Sequence, residues 1–339
     1  MPLFAFATVT PVVLILLAAY WGGPFAWIAV AYMTVLVFLL DRLIVRNIKN
    51  ADPNSEFPAA NLLLFTLGSA HFLLLFVTVY TVAGDGDLGL VSRVLIAVAA
   101  GLVFGQISHP VAHELIHKSS RFARLLGRLI YSSMLVGHHA SAHLRVHHVH
   151  VASDQDPNSA RRGTGFYRFA IRACVGSFRA GLRAENRLRR QKVRPVWTHP
   201  YALYVLGGVG ALLVSWGVAG RAGVIVYAGV SIYAQMQILM SDYVQHYGLR
   251  RAMSSSGALE PVGPQHSWNA PHWFSAALML NAPRHSDHHI VPSRPYPALQ
   301  LDASGMPMLP FPLPVMATIA LFPPIWRRMM DPRCEAWQT

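Results

Sequence analysis

The sequence predicts an all-α integral membrane protein, with six transmembrane helices and a histidine-rich di-metal site on their cytoplasmic side. Three observations predict it. Hydrophobic residues make up 53% and charged residues 13% of the 339 residues, against roughly 25% charged in an ordinary soluble domain. Six apolar runs approach the roughly 20 residues that a helix needs to cross a bilayer. Histidines crowd into three dense clusters just beyond span ends on one side.

The spans follow in order as one membrane domain over 1–339. Residues 3–20 form the first, and Gly22-Gly23-Pro24 ends it. Residues 25–45 form the second; Arg42, Arg46 and Lys49 lie around its end, and a polar loop follows. The third is 57–82, closed by the turn Asp85-Gly86-Asp87, and the fourth, 88–107, leads into the first histidine cluster. The fifth is 201–218; the chain turns at 220–223 and the sixth, 224–240, runs toward His246. Two segments carry the histidine motifs, 109–198 and 241–310. Residues 313–325 are apolar but broken by Pro314, Pro323 and Pro324, and read as buried or re-entrant. The N-terminal run lacks a positive leader and another span follows at once, so it reads as a retained helix.

Arg and Lys lie after spans two, four and six, while the opposite loops hold little positive charge besides Arg93 and Arg221. By the positive-inside rule both termini and the histidines face the cytoplasm. The net charge of +13 is of the kind that juxtamembrane loops carry and does not call for nucleic acid. Residues 161–194 hold eleven Arg and Lys against one acid, Glu185. Their spacing reads as a basic amphipathic helix at the membrane surface, with anchoring to anionic lipid and docking of an acidic electron carrier as compatible uses. Cys174 and Cys334 form no Cys-x-x-Cys pair, so there is no fused iron–sulfur module. Any electrons come from another protein.

The clusters are His113-Glu114-Leu115-Ile116-His117, His143-Leu144-Arg145-Val146-His147-His148 and His285-Ser286-Asp287-His288-His289, with His246 in Gln245-His246-Tyr247-Gly248. Spacings of i, i+3 and i+4 place side chains on one helix face. Nine imidazoles exceed the four ligands of a tetrahedral site and argue for two ions. Imidazole suits zinc, copper, iron and nickel alike, so the count does not name the metal. His-Glu-x-x-His also matches a zinc protease motif with Glu114 as base, which leaves most of the other histidines unexplained. His71 and His109 lie within or near spans; His138, His139 and His150 crowd the second cluster and stay outside the ligand set. The apolar stretches 62–76 and 95–104 are candidate walls of a substrate channel, and Gln235 and Gln237 are expected to face the bundle interior.

On these motifs, on His246-Tyr247-Gly248, His266-Ser267-Trp268-Asn269 and Pro323-Pro324-Ile325-Trp326, the chain resembles the membrane-bound alkane hydroxylases. These are relatives of the integral-membrane fatty-acid desaturases and hydroxylases. The resemblance runs from about residue 25 to 333. It implies two non-haem irons held by His113, His117, His143, His147, His148, His246, His285, His288 and His289. It implies that Glu114, Asp156, Asp287 and Gln245 stand behind these ligands. It also implies O2-dependent hydroxylation of the terminal carbon of medium- to long-chain alkanes in the bacterial inner membrane. Electrons would come from rubredoxin or a ferredoxin-type donor with its NAD(P)H reductase. Gln245, Asp242, Ala142 and Val146 depart from the family's usual residues, and Gln245 is similar to the xylene monooxygenase hydroxylase, which oxidises aromatic methyl groups. Fatty-acyl desaturation or hydroxylation is the other alternative.

Overall fold

The structure, a computed structural model, describes all residues except 45–48, 194, 254, 256 and 338–339. Val45, Arg46 and Arg194, which the sequence reading used, therefore lie outside the described residues. The described chain is helical, and five of its helices are long and apolar enough to cross a membrane: Pro2–Trp21 (α1), Gly23–Leu43 (α2), Pro58–Ala83 (α3), Leu90–His117 (α4) and Pro200–Gln245. Less apolar or shorter helices complete it: Arg121–Ser133 (α5), 139–150 (α6), Phe166–Gln191 (α7), Trp273–Leu278 (α9), His285–Ile290 (α10), Leu313–Ala320 (α11) and Pro323–Ala336 (α12); Pro200–Gln245 is α8.

Helix α8 has 46 residues and is not straight. Ala219 and Gly220 leave helical geometry, and Gly220 takes φ 53°, a left-handed value that glycine adopts at no steric cost. The arms on either side run back along each other. Gly207 on the first arm lies against Ser132, and Tyr227 on the second donates to the Ser133 carbonyl at 2.8 Å. These arms answer to the fifth and sixth spans expected from sequence, with the turn at 219–220 rather than 220–223.

Proline sets the start of four of the five long helices, where its missing N–H costs nothing: Pro2, Pro24, Pro58 and Pro200. Pro110 is different, since it lies inside α4. It cannot donate to Gln106, and the helix widens into a π-turn over Phe104–Ser108 just before it. A π-turn relieves the clash of the proline ring with the preceding carbonyls. The first histidine cluster thus sits on the fourth membrane helix itself, which continues to His117 rather than ending near 107.

Apolar side chains on the spans face outward, among them Phe38, Leu62, Leu73, Leu206, Leu213 and Ile232. Such a surface is stable only in lipid, and the chain is an integral membrane protein. Exposed Tyr20, Trp21, Tyr80 and Trp216 lie at the span ends away from the histidines, as in an interfacial aromatic belt. Arg93, an exception in the charge pattern at that end, donates to the carbonyls of Val82, Gly84 and Leu88 at 2.6–3.1 Å. Its charge completes the carbonyl end of α3.

At the histidine end, α5 crosses α4 at Gly127. A Cβ there would stand 2.8 Å from the Ala112 carbonyl oxygen and 3.0 Å from Ile116, directly behind His113. Gly127→Val is therefore expected to destabilise the fold by about 1–3 kcal/mol, the usual cost of overpacking, read as a lowered thermal midpoint in detergent. An unchanged midpoint would show that the crossing can open. Segment 246–312 closes the bundle as a cap of short helices and loops. Asp41, at the end of α2, accepts from the N–H groups of Phe274 and Ser275 at 2.8–3.3 Å, which pins the start of α9 to the membrane domain.

Candidate metal centre

Nine histidines converge where α4, α6, α8 and α10 meet, and they divide into two groups. His113, His117, His143, His148 and His288 form one, and His147, His246, His285 and His289 the other; in each, one nitrogen per residue lies within 4.8 Å of all the rest. The groups adjoin, with the rings of His148 and His289 at 4.7 Å between centroids. The division does not follow the sequence clusters. His147 parts from His143 and His148, and His288 parts from His285 and His289.

Local backbone explains this. His143–His147 is a π-turn, which brings residues five apart onto one face. His143 and His148 therefore meet, Nε2 to Nε2, at 2.9 Å, while His147 points to the other group. In α10, an ordinary helical turn, His285 and His289 are four apart and meet at 3.1 Å. His288 leans the other way and reaches His148 at 3.2 Å. The expectation of one helix face per cluster is thus corrected: the second and third clusters each serve both groups.

The donor set fits metal. The Nε2 atoms of His246 and His289 stand 2.9 and 3.1 Å from that of His285. One ring nitrogen cannot share a proton with both neighbours, whereas a cation between the rings satisfies every lone pair. Two nitrogens bound at right angles to one ion at about 2.1 Å stand about 3 Å apart, which is the spacing seen. His147 Nε2 is buried without a hydrogen-bond partner beside these three rings. Burial, with the neighbouring imidazoles, holds His143, His148, His246, His288 and His289 well below the usual histidine range; His285 is lowered to about 3 by burial and His147. Neutral rings are what metal ligation requires. His147 is the exception. Burial alone would lower it, but the Asp156 carboxylate, with Asp242 behind, raises it.

Of the residues expected behind the ligands, Asp156 lies against His147. Its Oδ2 accepts from His147 Nδ1 at 2.9 Å and from Ser159 at 2.6 Å, and its Oδ1 from the Asn158 N–H at 3.0 Å. Gln245 donates to the Ala282 carbonyl at 3.0 Å, the same carbonyl that accepts from His285. Glu114 accepts from the Tyr296 N–H at 3.3 Å and lines a cavity between the two groups. Asp287 turns away: it pairs with Arg294 and accepts from the Gln300 N–H at 2.9 Å. Among the described residues no imidazole bonds to Glu114 or Asp287.

Several contributors lie outside the set expected to stand behind the ligands. Asn158 donates to Asp242 at 2.6 Å, tying the Asp156 loop to α8. Asn269 donates to Ser286 Oγ at 2.7 Å and accepts from the Ser286 N–H at 2.9 Å, which clamps the first turn of α10. His109 bonds Tyr131 at 3.0 Å, and His139 stacks on His143 at 5.4 Å between centroids. Asn269 stands in the segment His266–Asn269 that carries the family resemblance, whereas Asn158, His109 and His139 are marked only by closeness in sequence to Asp156 or to a histidine cluster.

Two cavities serve the site. One, of ≈ 20 Å³, is room for about one water; its wall includes His113, His143, His285, His288, Glu114 and Gln245. The other, of ≈ 660 Å³, is apolar and opens between α2, α4, the second arm of α8 and α11. Both touch His109, Pro110, Ser241 and Ala282. The third span does not line the large cavity, contrary to expectation, and of 95–104 only Leu102 does. The α3 residues Phe72, Leu75, Phe76 and Val79 instead line a separate apolar cavity of ≈ 270 Å³ against α5 and α8. Gln237 does face the large cavity, with Gln106 donating to it at 3.2 Å.

Comparison with known proteins agrees with this geometry. The fatty acid desaturase family model matches residues 89–307. Alkane 1-monooxygenase 1 of Pseudomonas aeruginosa is 32% identical over 314 residues, covering 88% of this chain and 80% of that protein. The chain belongs to the membrane-bound alkane hydroxylase family. Alkane 1-monooxygenase 2 of Alcanivorax borkumensis is 29% identical over 326 residues, 94% of this chain and 84% of that protein. The xylene/toluene monooxygenase hydroxylase component of Pseudomonas putida is 28% identical over 236 residues, covering 67% of this chain and 61% of that protein. The family membership makes the chain an oxygenase with a metal-binding histidine centre. All four histidine motifs and the Asn269 clamp fall within the matched segment.

Proposed function

We propose that the chain is a di-iron monooxygenase that hydroxylates the terminal carbon of medium- to long-chain alkanes. The reaction is RH + O2 + 2e⁻ + 2H⁺ → ROH + H2O. The observation that carries it is the meeting of two all-histidine groups with the inner end of an apolar cavity of ≈ 660 Å³ between membrane helices. The alkane 1-monooxygenase relatives support the substrate class.

His113, His117, His143, His148 and His288 would hold the first ion, and His147, His246, His285 and His289 the second. Bound iron supplies the redox chemistry with O2 that an unactivated C–H bond requires and that redox-silent zinc lacks. The chain's own residues do the rest. Met33, Leu102, Met236 and Met240 offer an apolar wall, so an alkane leaves the bilayer for a medium of equal polarity. It gains no hydrophobic free energy by entering, and the cavity selects by shape. His109, Pro110, Ser241 and Ala282 line both cavities, so a chain that enters the large cavity end-on would bring its terminal carbon toward the histidines. Asp156 fixes the ring of His147 by accepting from Nδ1, which leaves Nε2 free to ligate. The packed cap excludes bulk water from the small cavity.

The clustering of Arg and Lys at the histidine end supports a cytoplasmic site in the bacterial inner membrane. Cys174 and Cys334 are free and apart, so electrons come from a soluble donor such as rubredoxin with its NAD(P)H reductase. His117 and His148 are part-exposed and mark the five-histidine group as the nearer to that donor.

The test is a product assay on the protein in lipid, supplied with iron, rubredoxin, reductase and O2, with octane and p-xylene in competition. Mainly 1-octanol is expected. Mainly the benzylic alcohol would replace the alkane reading by the aromatic-methyl one, which Gln245 shares, and an alkene or internal alcohol would remove terminal hydroxylation.

A further inference from the structure

Helix α7 carries three stripes. Phe166, Phe169, Ala173, Ser177, Gly181 and Glu185 are buried against α6 and α8. A second stripe, Tyr167, Ile171, Val175 and Phe178, is apolar and exposed. The third, Arg168, Arg172, Arg179, Arg183, Arg187 and Arg190, is basic and exposed. It lies one residue on from the apolar stripe, hence about 100° further round the helix.

The apolar stripe faces the membrane at both ends. Tyr167 donates to the carbonyl of Leu321 at 3.1 Å, where the apolar α11 ends and Leu321, Phe322 and Ile325 are exposed. Phe178 packs edge-on against Tyr201 at 5.3 Å between centroids, and its carbonyl accepts from the Tyr201 hydroxyl at 2.9 Å. Tyr201 lies in the first turn of α8, where that helix enters the bilayer. Buried Arg189 donates to the Thr198 carbonyl at 3.1 Å and holds the end of α7 at the same level. The helix therefore lies along the membrane surface, across the ends of α8 and α11.

Among the described residues none of the six exposed arginines forms an ion pair. Arg172 donates to the Ser159 carbonyl at 2.9 Å. The one acid of the helix, Glu185, is buried and held by Ser141 at 2.9 Å and Arg145 at 3.7 Å. A row of unneutralised guanidinium groups beside an apolar stripe matches a surface whose acyl chains and phosphates lie side by side. We propose that α7 is an interfacial helix that binds anionic phospholipid: its arginines take the headgroup phosphates and its apolar stripe enters the acyl region. An acidic protein partner would match the charge but would leave the apolar stripe in water.

The test uses the full chain in nanodiscs of phosphatidylcholine and phosphatidylglycerol in equal amounts, with retained lipid counted by native mass spectrometry. Wild type is expected to retain phosphatidylglycerol about tenfold over phosphatidylcholine, a ratio that falls toward about one in the Arg179→Gln, Arg183→Gln, Arg187→Gln, Arg190→Gln variant. Equal ratios in the two proteins would overturn the proposal. So would an unchanged ratio accompanied by weaker binding of a rubredoxin, which would make α7 a protein-docking face. A nitroxide at Ile171→Cys in a Cys174→Ser background serves as a second reading that needs no arginine variant. It is expected to be relaxed more by O2 than by an aqueous nickel chelate, and the reverse would place the stripe in water.

Discussion

His246→Ala is expected to lower bound metal from two ions per chain to one and oxygenation by more than about 100-fold, above the range that loss of a supporting residue costs. The four-histidine group has no spare ligand: His246, just past the end of α8, is its one member from outside the second and third clusters, and its Nε2 lies 2.9 Å from that of His285. Three imidazoles would remain, with His147 still anchored by Asp156. Insertion into the membrane is not expected to change, since the spans end before this residue. Elemental analysis of the purified variant checks it. Two ions with wild-type turnover would take His246 out of the centre.

The second large effect concerns a residue that touches no metal. Asp156→Asn is expected to weaken metal binding and turnover about 10–100-fold, the usual consequence of losing a carboxylate behind a ligating histidine. Asp156 is buried and binds His147, Ser159 and the Asn158 N–H together, so an amide satisfies fewer of these donors and removes the negative charge beside His147. Asp287→Asn is the contrasting case. It loosens Arg294 and the Gln300 N–H, and is expected to cost about 1–3 kcal/mol of stability with metal affinity little changed. Titration against a chelator separates the two. If the variants showed equal affinity losses, the assignment of Asp156 as the support of His147 would not stand.

Much of this molecule is legible in its sequence because lipid imposes a strong rule: only long apolar helices cross it. The spans and the bend between the arms of α8 follow from apolar length and from Gly220. The nine histidines are legible because imidazoles are uncommon and these are dense. Their division is not, because a period of 3.6 residues cannot show where a helix widens. The π-turn at His143–His147 sends His147 to a different group from its neighbours. Asp287 lies inside a histidine cluster yet faces Arg294, since sequence proximity does not fix which way a side chain leaves a short helix. The wall of the large cavity departs from the sequence expectation for a related reason. Stretch 62–76 is apolar apart from Thr66, Ser69 and His71, and His71 turns inside the bundle to Ser108 and Ser133 rather than to the cavity. Gln237 gave the better signal, because an amide in a span avoids lipid.

The central claim is that one chain holds two iron ions on imidazole nitrogen alone, five on one and four on the other. The most direct measurement is iron content together with X-ray absorption at the iron edge, on protein reconstituted in lipid. Two irons per chain are expected, with an inner shell showing imidazole scattering from an average of between four and five rings per iron. One metal per chain, or zinc in both positions with iron excluded, would contradict it.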